Sequence, residues 1–465
     1  QLALRLDPIL FKLKGAHAFD ALQSPIIPDE ATGQKFDDRT FAAVINASAV
    51  EHAPRTARRN IRLLFNDQAS ELAAINAVLG AGPVTFTLDD LDAGQREFAR
   101  PGIERPNCLS CALDNVLSAV VELLVERIAS PRTEAPQAMS HEQRSARPSA
   151  SGASYVVKTI FTKVANKAAS YLDRSARVKS SWALGIRPCS DTAGLLDGPW
   201  PRSATFNIVP DDNLRYYADP FIVTQGGRTQ LFVEEVPMAT GRGIISVADV
   251  DERGRVGAFR PVLEKGFHLS YPSIFTYNGS MWMLPEACES GSVDLYRAVN
   301  YPYQWEFDRR LLDGVPGCDA TIIPFGGKYF MMLTASRRLG TTWDTQRIYY
   351  ADTPLGPWTE IDGGLTHIDC SNARPAGDAI SIGGRLLRPA QDCSRGYGSG
   401  MVVMDVQQLS RSGCREVPVA KIAVAGTNEF FTHTYGKNHS FEVVDLYGNF
   451  GAAKQVTLAC TPLAS

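Results

Sequence analysis

Three short runs place potentially reactive residues at matching points of a repeating pattern. They are ADPFIV with Asp219, SYPSIF with Tyr271, and CDATII with Asp319. The steps between these leading residues are 52 and 48, and a fourth start near Ala376 follows after about 57. A second set follows at a near-constant interval in every repeat: Glu234 and Glu235, Glu286, Thr334, and Gln391 with Asp392. Two carboxylates are the minimum equipment for splitting a glycosidic bond, one protonating the leaving oxygen and the other activating water or attacking carbon. Asp219, Asp319 and Glu286 are the catalytic candidates. Glu235, Tyr271, Trp282, Arg374, Asp392, Tyr397 and His439 are the substrate-binding candidates, because carboxylates and guanidinium hydrogen-bond hydroxyls while rings cover apolar C–H faces. Bland roles stand beside these: an Asp before Pro is often a turn residue, and His268 and His439 near repeat starts read first as structural. Cys393 beside Asp392 has no identifiable base and is not expected to act as a nucleophile.

The elements that carry these residues are strands. Each repeat opens with a strand, then a tight turn (Gly226-Gly227, Asn278-Gly279, Gly326-Gly327, Gly383-Gly384), then a second strand. Asn-Gly and Gly-Gly tolerate the positive φ of two-residue hairpins. A third strand and an outer strand carrying an aromatic follow, as in VDLYRAVNYPYQWEF. Four strands in about 50 residues match one blade of a β-propeller. In such a fold the first strand of every blade lines the central channel, so the leading residues converge at one mouth. A fifth blade is expected around KNHSFEVVDLYG, closed by strands near Ala204 to Val209.

The 465 residues exceed one ordinary core, so more than one domain is expected. The fold class is multidomain: an all-β five-bladed propeller (191–465) preceded by a smaller α/β domain (1–129). A Pro- and Ser-rich linker (130–155) and a helical connector (156–190) join them. Hydrophobic content of 44% and charged content of 21% are those of a globular chain. A net charge of -3 leaves no basic excess for nucleic acid. No apolar run has the roughly 18 residues of a transmembrane helix. The opening QLALRLDP shows no secretory signal, so the expected location is cytoplasmic. Nine scattered Cys do not form a disulfide scaffold. CLSC (Cys108 to Cys111) has metal or redox spacing without a second pair nearby, and reads as structural.

Taken together and in order, ADPF, YPSIF, MLPE, DLYRA, DATI, ADTPLGPW, ARPAG and RPAQDCSRGYG resemble a known family. It is the glycoside hydrolase family 43-type five-bladed propeller of glucosamine inositolphosphorylceramide transferase-like proteins, and the likeness spans Trp200 to Gly448. The resemblance implies a carbohydrate or glycoconjugate substrate and no required cofactor, and it admits a central Ca²⁺ beneath His439. In the hydrolases the first three blades supply an Asp base, an Asp that tunes and orients, and a Glu acid. Asp219 matches the base; Tyr271 and Asp319 depart from the other two. The N-terminal part is similar to a degenerate formyltransferase-like domain through VINAS, LLFND and the helix ending at Ile128. The functional expectation is an enzyme acting on a glycosidic bond, hydrolase or transglycosylase. The alternatives are a non-catalytic glycan-binding propeller and a glycosyltransferase whose N-terminal domain binds the donor.

Overall fold

The computed structural model describes residues 44–46, 59–70, 72–80, 83–129, 181–189, 194–336, 340–426, 430–450 and 453–463. The expected linker, and the expected connector up to residue 180, lie outside the described residues. Two compact units divide the chain. One comprises the described residues up to Ala129 with 340–341 and His367–Asp369; the other holds the remaining described residues from Ser181 on.

The first unit contains β1 (Val44–Asn46), β2 (Asn60–Phe65), α1 (Ala73–Leu79), β3 (Phe86–Asp90), β4 (Gln95–Ala99) and α2 (Leu109–Ala129). The strands form one sheet in the order β1-β2-β3-β4, parallel at β1–β2 and antiparallel elsewhere. Leu113, Val116, Val120, Leu123 and Leu124 recur at helical spacing on α2 and are buried. Arg127 in its last turn forks onto Glu97 of β4 at 2.6 and 2.8 Å. Cys108 and Cys111 are joined as a disulfide at the start of α2. Among the described residues no helix is long and apolar enough to cross a membrane.

The second unit is all β. It opens with β5 (Ser181–Pro188) and β6 (Arg202–Val209). Ser181–Pro188 was expected within the helical connector. It is a strand because its hydrogen bonds are completed by Phe441–Gly448, near the far end of the chain, a partner that local sequence does not display. Three antiparallel meanders follow. The first is β7 (Arg215–Gln225), β8 (Arg228–Pro237), β9 (Ile244–Val250) and β10 (Arg260–Leu263). The second is β11 (Ser270–Tyr277), β12 (Ser280–Glu286), β13 (Ser292–Asn300) and β14 (Gln304–Asp313). The third is β15 (Cys318–Phe325), β16 (Lys328–Thr334), β17 (Thr345–Ala351) and β18 (Thr359–Glu360). After β19 (His367–Ile368), which falls in the first unit, come β20 (Ile380–Ile382), β21 (Arg385–Gln391), β22 (Met401–Ser410) and β23 (Gly413–Val424), then β24 (Tyr435–Lys437), β25 (Phe441–Gly448) and β26 (Gln455–Pro462). These last seven join β5 and β6 in the order β20-β21-β22-β23-β26-β6-β5-β25-β24. Next to β25 lies β5, and the expected closing strand near Ala204 to Val209 is one place further out.

The four hairpin turns fall where the sequence places them, with both central residues at positive φ in each, for example Asn278 at 50° and Gly279 at 73°. The second strands read as continuous apolar runs because both of their faces are buried. On β12, Met281 and Met283 pack with Phe232 and Val247 of the first meander. Trp282 and Leu284 pack with Met331 and Leu333 of the third. Phe330 and Met332 turn the other way, onto Val406 and Leu409. Met401, Val403 and Ile422 pack with Phe206, Val444 and Leu446. Leu184, Ile186 and Val443 then pack with Leu231 and Val233, back on the first meander.

Candidate functional site

Asp219, Tyr271 and Asp319 share a backbone state that their side chains do not explain. Each has positive φ, at 48°, 45° and 53°. Each sits where its hairpin register slips, between Ala218 and Phe221, Ser270 and Ser273, and Cys318 and Thr321. A left-handed residue at a bulge costs about 1 kcal/mol or more when it is not glycine. In each case the backbone N–H is offset by a carboxylate acceptor: Asp219 N–H donates to Asp445 Oδ2, Tyr271 N–H to Asp219 Oδ2, and Asp319 N–H to Glu286 Oε2, all at 3.2 Å. The fourth repeat uses Gly377 at φ 118°, where a Cβ would lie 2.0 Å from the Tyr435 carbonyl oxygen. The Gly377 N–H donates to the Tyr271 hydroxyl at 2.7 Å.

Tyr271 is therefore a brace inside the protein. Its side chain is fully buried, edge-on to Phe221. Thr321 donates its hydroxyl to the Asp319 carbonyl at 3.1 Å, which leaves the Tyr271 hydroxyl to donate to Thr321 at 2.8 Å. The expectation that Tyr271 meets substrate is corrected: the ring fills the space between two sheets. Tyr271→Phe strands the buried Gly377 N–H, so unfolding free energy is expected to fall by about 2 kcal/mol. Urea titration followed by tryptophan fluorescence measures it. A change of less than about 0.5 kcal/mol, the size typical of a surface substitution, contradicts the brace.

Asp319 is held from two sides. Arg374 Nε donates to its Oδ2 at 2.6 Å and Nη2 to its Oδ1 at 3.2 Å, while Gln391 Nε2 adds a bond to Oδ2 at 2.7 Å. The same Arg374 Nη2 reaches Glu286 Oε2 at 3.0 Å. One guanidinium thus serves two buried carboxylates. Burial pushes the Asp319 carboxyl up, against the pull of Arg374 and helped by Glu286, to about 8. Burial also raises Glu286, against Arg374.

Asp219 faces a second cluster. Its Oδ1 accepts the Thr434 hydroxyl at 2.6 Å, and His433 Nδ1 lies 3.6 Å away. The same nitrogen is 2.6 Å from Asp445 Oδ2, and Asp445 Oδ1 accepts the backbone N–H groups of His433 and Thr434. Burial pushes Asp219 up, opposed by His433 and reinforced by Asp319, Glu234 and Asp445, to about 7. Burial works against a charged His433, but Asp445 and Asp219 outweigh it and raise the imidazole to about 9. The donor atoms of Asp219, His433 and Asp445 lie within 4.8 Å of one another. A Ca²⁺ does not fit them well: each of the four carboxylate oxygens already accepts a protein N–H or O–H, whereas Ca²⁺ needs six to eight oxygens free to coordinate it. The resemblance admitted such an ion beneath His439, and His439 is an exposed residue of the turn between β24 and β25.

Aromatic rings adjoin both clusters. Arg374 lies 5.3 Å from the Tyr397 ring centre, and Tyr397 lies 5.8 Å from Trp343 and 5.2 Å from His433. Trp182 lies 4.1 Å from His433. Tyr397 is 38% exposed, and Trp182 and Trp343 are half-buried.

Of the residues singled out in the sequence, Asp219, Asp319, Glu286, Arg374 and Tyr397 belong to this linked set. Four others do not, besides Tyr271. Trp282 is in the core between the second and third meanders, donating to the Tyr277 carbonyl. Glu235 points to the opposite face of β8 from Glu234, where Arg215 and Ser246 bind it at 2.6 and 2.7 Å. Asp392 caps its own loop through the Ser394 N–H and also meets Lys421 at 3.4 Å. His439 is at the turn just described. The acid matching Glu286 is Glu234, which pairs with His268 at 2.8 Å. His433, Thr434 and Asp445 escaped notice in the sequence, and Gln391 was placed in the second recurring set without being singled out as a site residue. Asp445 had a signal: with Glu442 it is one of two acids inside the mostly apolar strand FEVVDLYG.

The family model described as glucosamine inositolphosphorylceramide transferase 1, N-terminal, matches residues 208–450, just over half of the chain and nearly the span expected. The transferase of that name from Arabidopsis thaliana is 33% identical over 266 residues, 54% of this chain and 34% of the relative. The one from Oryza sativa subsp. japonica is 33% identical over 208 residues, 44% of this chain and 28% of the relative. The chain spans about a third of the length of these relatives. Among solved structures, a thermostable family-43 glycoside hydrolase has TM-score 0.34 and 14% identity, covering 43% of this chain and 74% of that one. A family 117 glycoside hydrolase from Zobellia galactanivorans has TM-score 0.37 and 9% identity, covering 54% and 92%. Likenesses this slight bear on neither fold nor chemistry. The sequence match is decisive by itself: the chain belongs to the family of the N-terminal part of glucosamine inositolphosphorylceramide transferase 1.

Proposed function

We propose that the second unit is a five-bladed propeller that binds a sugar of a glycoconjugate beside Arg374, Tyr397, Trp343 and Trp182. Five apolar clusters support the blade count: four join one sheet to the next and return to the first, and the fifth packs the β21–β23 part of the nine-stranded sheet against its β6 and β25 part. The fifth blade then combines β24, β25, β5 and β6, so the propeller starts near Ser181. Residues 1–129 are proposed as the separate α/β domain. The matched relatives are named for glucosamine inositolphosphorylceramide, which makes a glycosylated lipid headgroup the ligand class.

One observation favours binding over bond cleavage. The carboxylates of Asp219 and Asp319 are spent on Thr434, Tyr271 N–H, Arg374 and Gln391, and the position between them is a buried tyrosine. Exposed Tyr397 and the half-buried tryptophans supply the faces on which a sugar ring stacks. Calorimetric titration with a panel of soluble oligosaccharides and inositol glycosides tests this. Tyr397→Ala is expected to weaken the best ligand at least tenfold. Unchanged affinity in that variant, or no binding across the panel, would sink the proposal.

A second reading is glycosidic bond cleavage, with Asp219 as base and Asp319 or Glu286 as acid. It is favoured by the upward shifts of Asp219 to about 7 and Asp319 to about 8, which suit proton transfer near neutrality. Aryl glycosides and oligosaccharides offered to wild type, Asp219→Asn and Asp319→Asn discriminate. Turnover lost by about a thousandfold in both variants establishes cleavage; turnover that persists in both removes these acids from it.

A further inference from the structure

We infer that Cys108 and Cys111 are a redox-active pair, in which low-molecular-weight thiols reduce the disulfide through Cys111 while the fold stays intact. The bond encloses only Leu109 and Ser110, so it restricts little of the unfolded chain and is a weak staple. The other seven cysteines form no disulfide. The two sulfurs of the pair occupy different surroundings. Cys108 is fully buried and Cys111 is partly exposed.

The helix start explains why this asymmetry favours exchange. The Cys108 carbonyl accepts the Ala112 N–H at 2.9 Å, which makes Cys108 the residue that caps α2. Its Sγ accepts the Cys111 N–H at 3.3 Å, the bond a capping side chain makes to the third helical residue. A thiolate at Cys108 would keep that bond and gain from the positive end of the helix. Cys108 is thus the better leaving group and Cys111 the sulfur an incoming thiol can reach.

The chemistry balances with a thiol RSH as reductant. A thiolate RS⁻ attacks Cys111 Sγ, the protein S–S bond breaks, and its electron pair leaves on Cys108. A second RS⁻ attacks the RS sulfur of the mixed disulfide, forming RS–SR and releasing Cys111 as a thiolate. Protons from the two RSH molecules end on the two cysteines as pH requires. The protein disulfide is reduced by two electrons and two RSH are oxidised.

The full chain is equilibrated in glutathione buffers from fully reduced to mostly oxidised, acid-quenched, alkylated and mapped by mass spectrometry. The expected result is interconversion of dithiol and disulfide at Cys108 and Cys111 with the near-UV circular dichroism unchanged. A pair that stays oxidised in excess reduced glutathione until denaturant is added overturns the inference. So does a pair that stays reduced in excess oxidised glutathione. With oxidised glutathione, Cys108→Ser is expected to form a mixed disulfide at Cys111 at least tenfold faster than Cys111→Ser does at Cys108. Equal or reversed rates overturn the assignment of Cys111 as the attacked sulfur. Should either variant misfold, the wild-type titration still decides whether the pair is redox-active.

Discussion

Replacing Arg374 by Met is expected to lower the unfolding free energy of the second unit by about 3–5 kcal/mol, the usual cost of leaving buried charges without their partner. The reasoning starts from one side chain in a fork. Arg374 has 6% of its side-chain surface exposed, and its partners Asp319 and Glu286 have 1% and 13%. Solvent screening, which reduces surface ion pairs to a fraction of a kcal/mol, is nearly absent here. Met restores the apolar stem but no donor, so both carboxyls must be buried unpaired or take up protons. All six tryptophans lie between Trp182 and Trp358, so urea unfolding followed by tryptophan fluorescence reports this unit alone. Adding Asp319→Asn to Arg374→Met is expected to recover part of the loss, because it removes one of the stranded charges. A single-variant loss below about 1 kcal/mol, or a double variant as unstable as the sum of the singles, would show that the fork does not hold the sheets together.

The second large effect is alkaline. His433 is raised from an ordinary value of 6.5 to about 9. A raised imidazole means that the folded state binds the proton more tightly than the unfolded chain does. The resulting stability is complete below pH 6.5 and is lost as pH climbs through 9. Each tenfold gain in proton affinity is worth about 1.4 kcal/mol, so the loss is about 3 kcal/mol. Asp219 adds to the trend: its carboxyl, raised to about 7, also favours the protonated folded state and loses that advantage as pH rises through 7. Unfolding free energies from pH 6 to 9.5 are therefore expected to decline. His433→Gln keeps the side chain polar and removes this titration, so its decline between pH 7.5 and 9.5 is expected to shrink to the part that Asp319, raised to about 8, contributes, at a lower starting stability. A wild-type curve that is level or rising across that interval contradicts the His433–Asp445 pairing.

Both effects depend on residues far apart in sequence. Arg374 meets Asp319 across 55 residues and Glu286 across 88. Thr434 meets Asp219 across 215. The blade-length repeat marked where the strands begin, and the Asn-Gly and Gly-Gly pairs marked where they turn, because these depend on local backbone preference. Side-chain direction inside the sheets was legible in part. Continuous runs such as MWML announced strands buried on both faces, which should have counted against Trp282 as a ligand contact. Glu234 and Glu235 could not be told apart by type; a one-residue difference reverses the face of a strand.

What the sequence determined by itself was the repeat, its hairpins, and an order of motifs specific enough to carry a family resemblance. These follow from local rules: period-two side chains, positive-φ turns and apolar runs of strand length. Tertiary structure decided the use to which the leading residues are put. It turned Asp219, Tyr271 and Asp319 into left-handed bulge residues whose N–H groups are bound by carboxylates of other strands. It brought up Arg374, Gln391 and His433 to neutralise or share the buried charge. A carboxylate's chemistry depends on how much water remains around it and on which donors reach it, and both are properties of the folded chain.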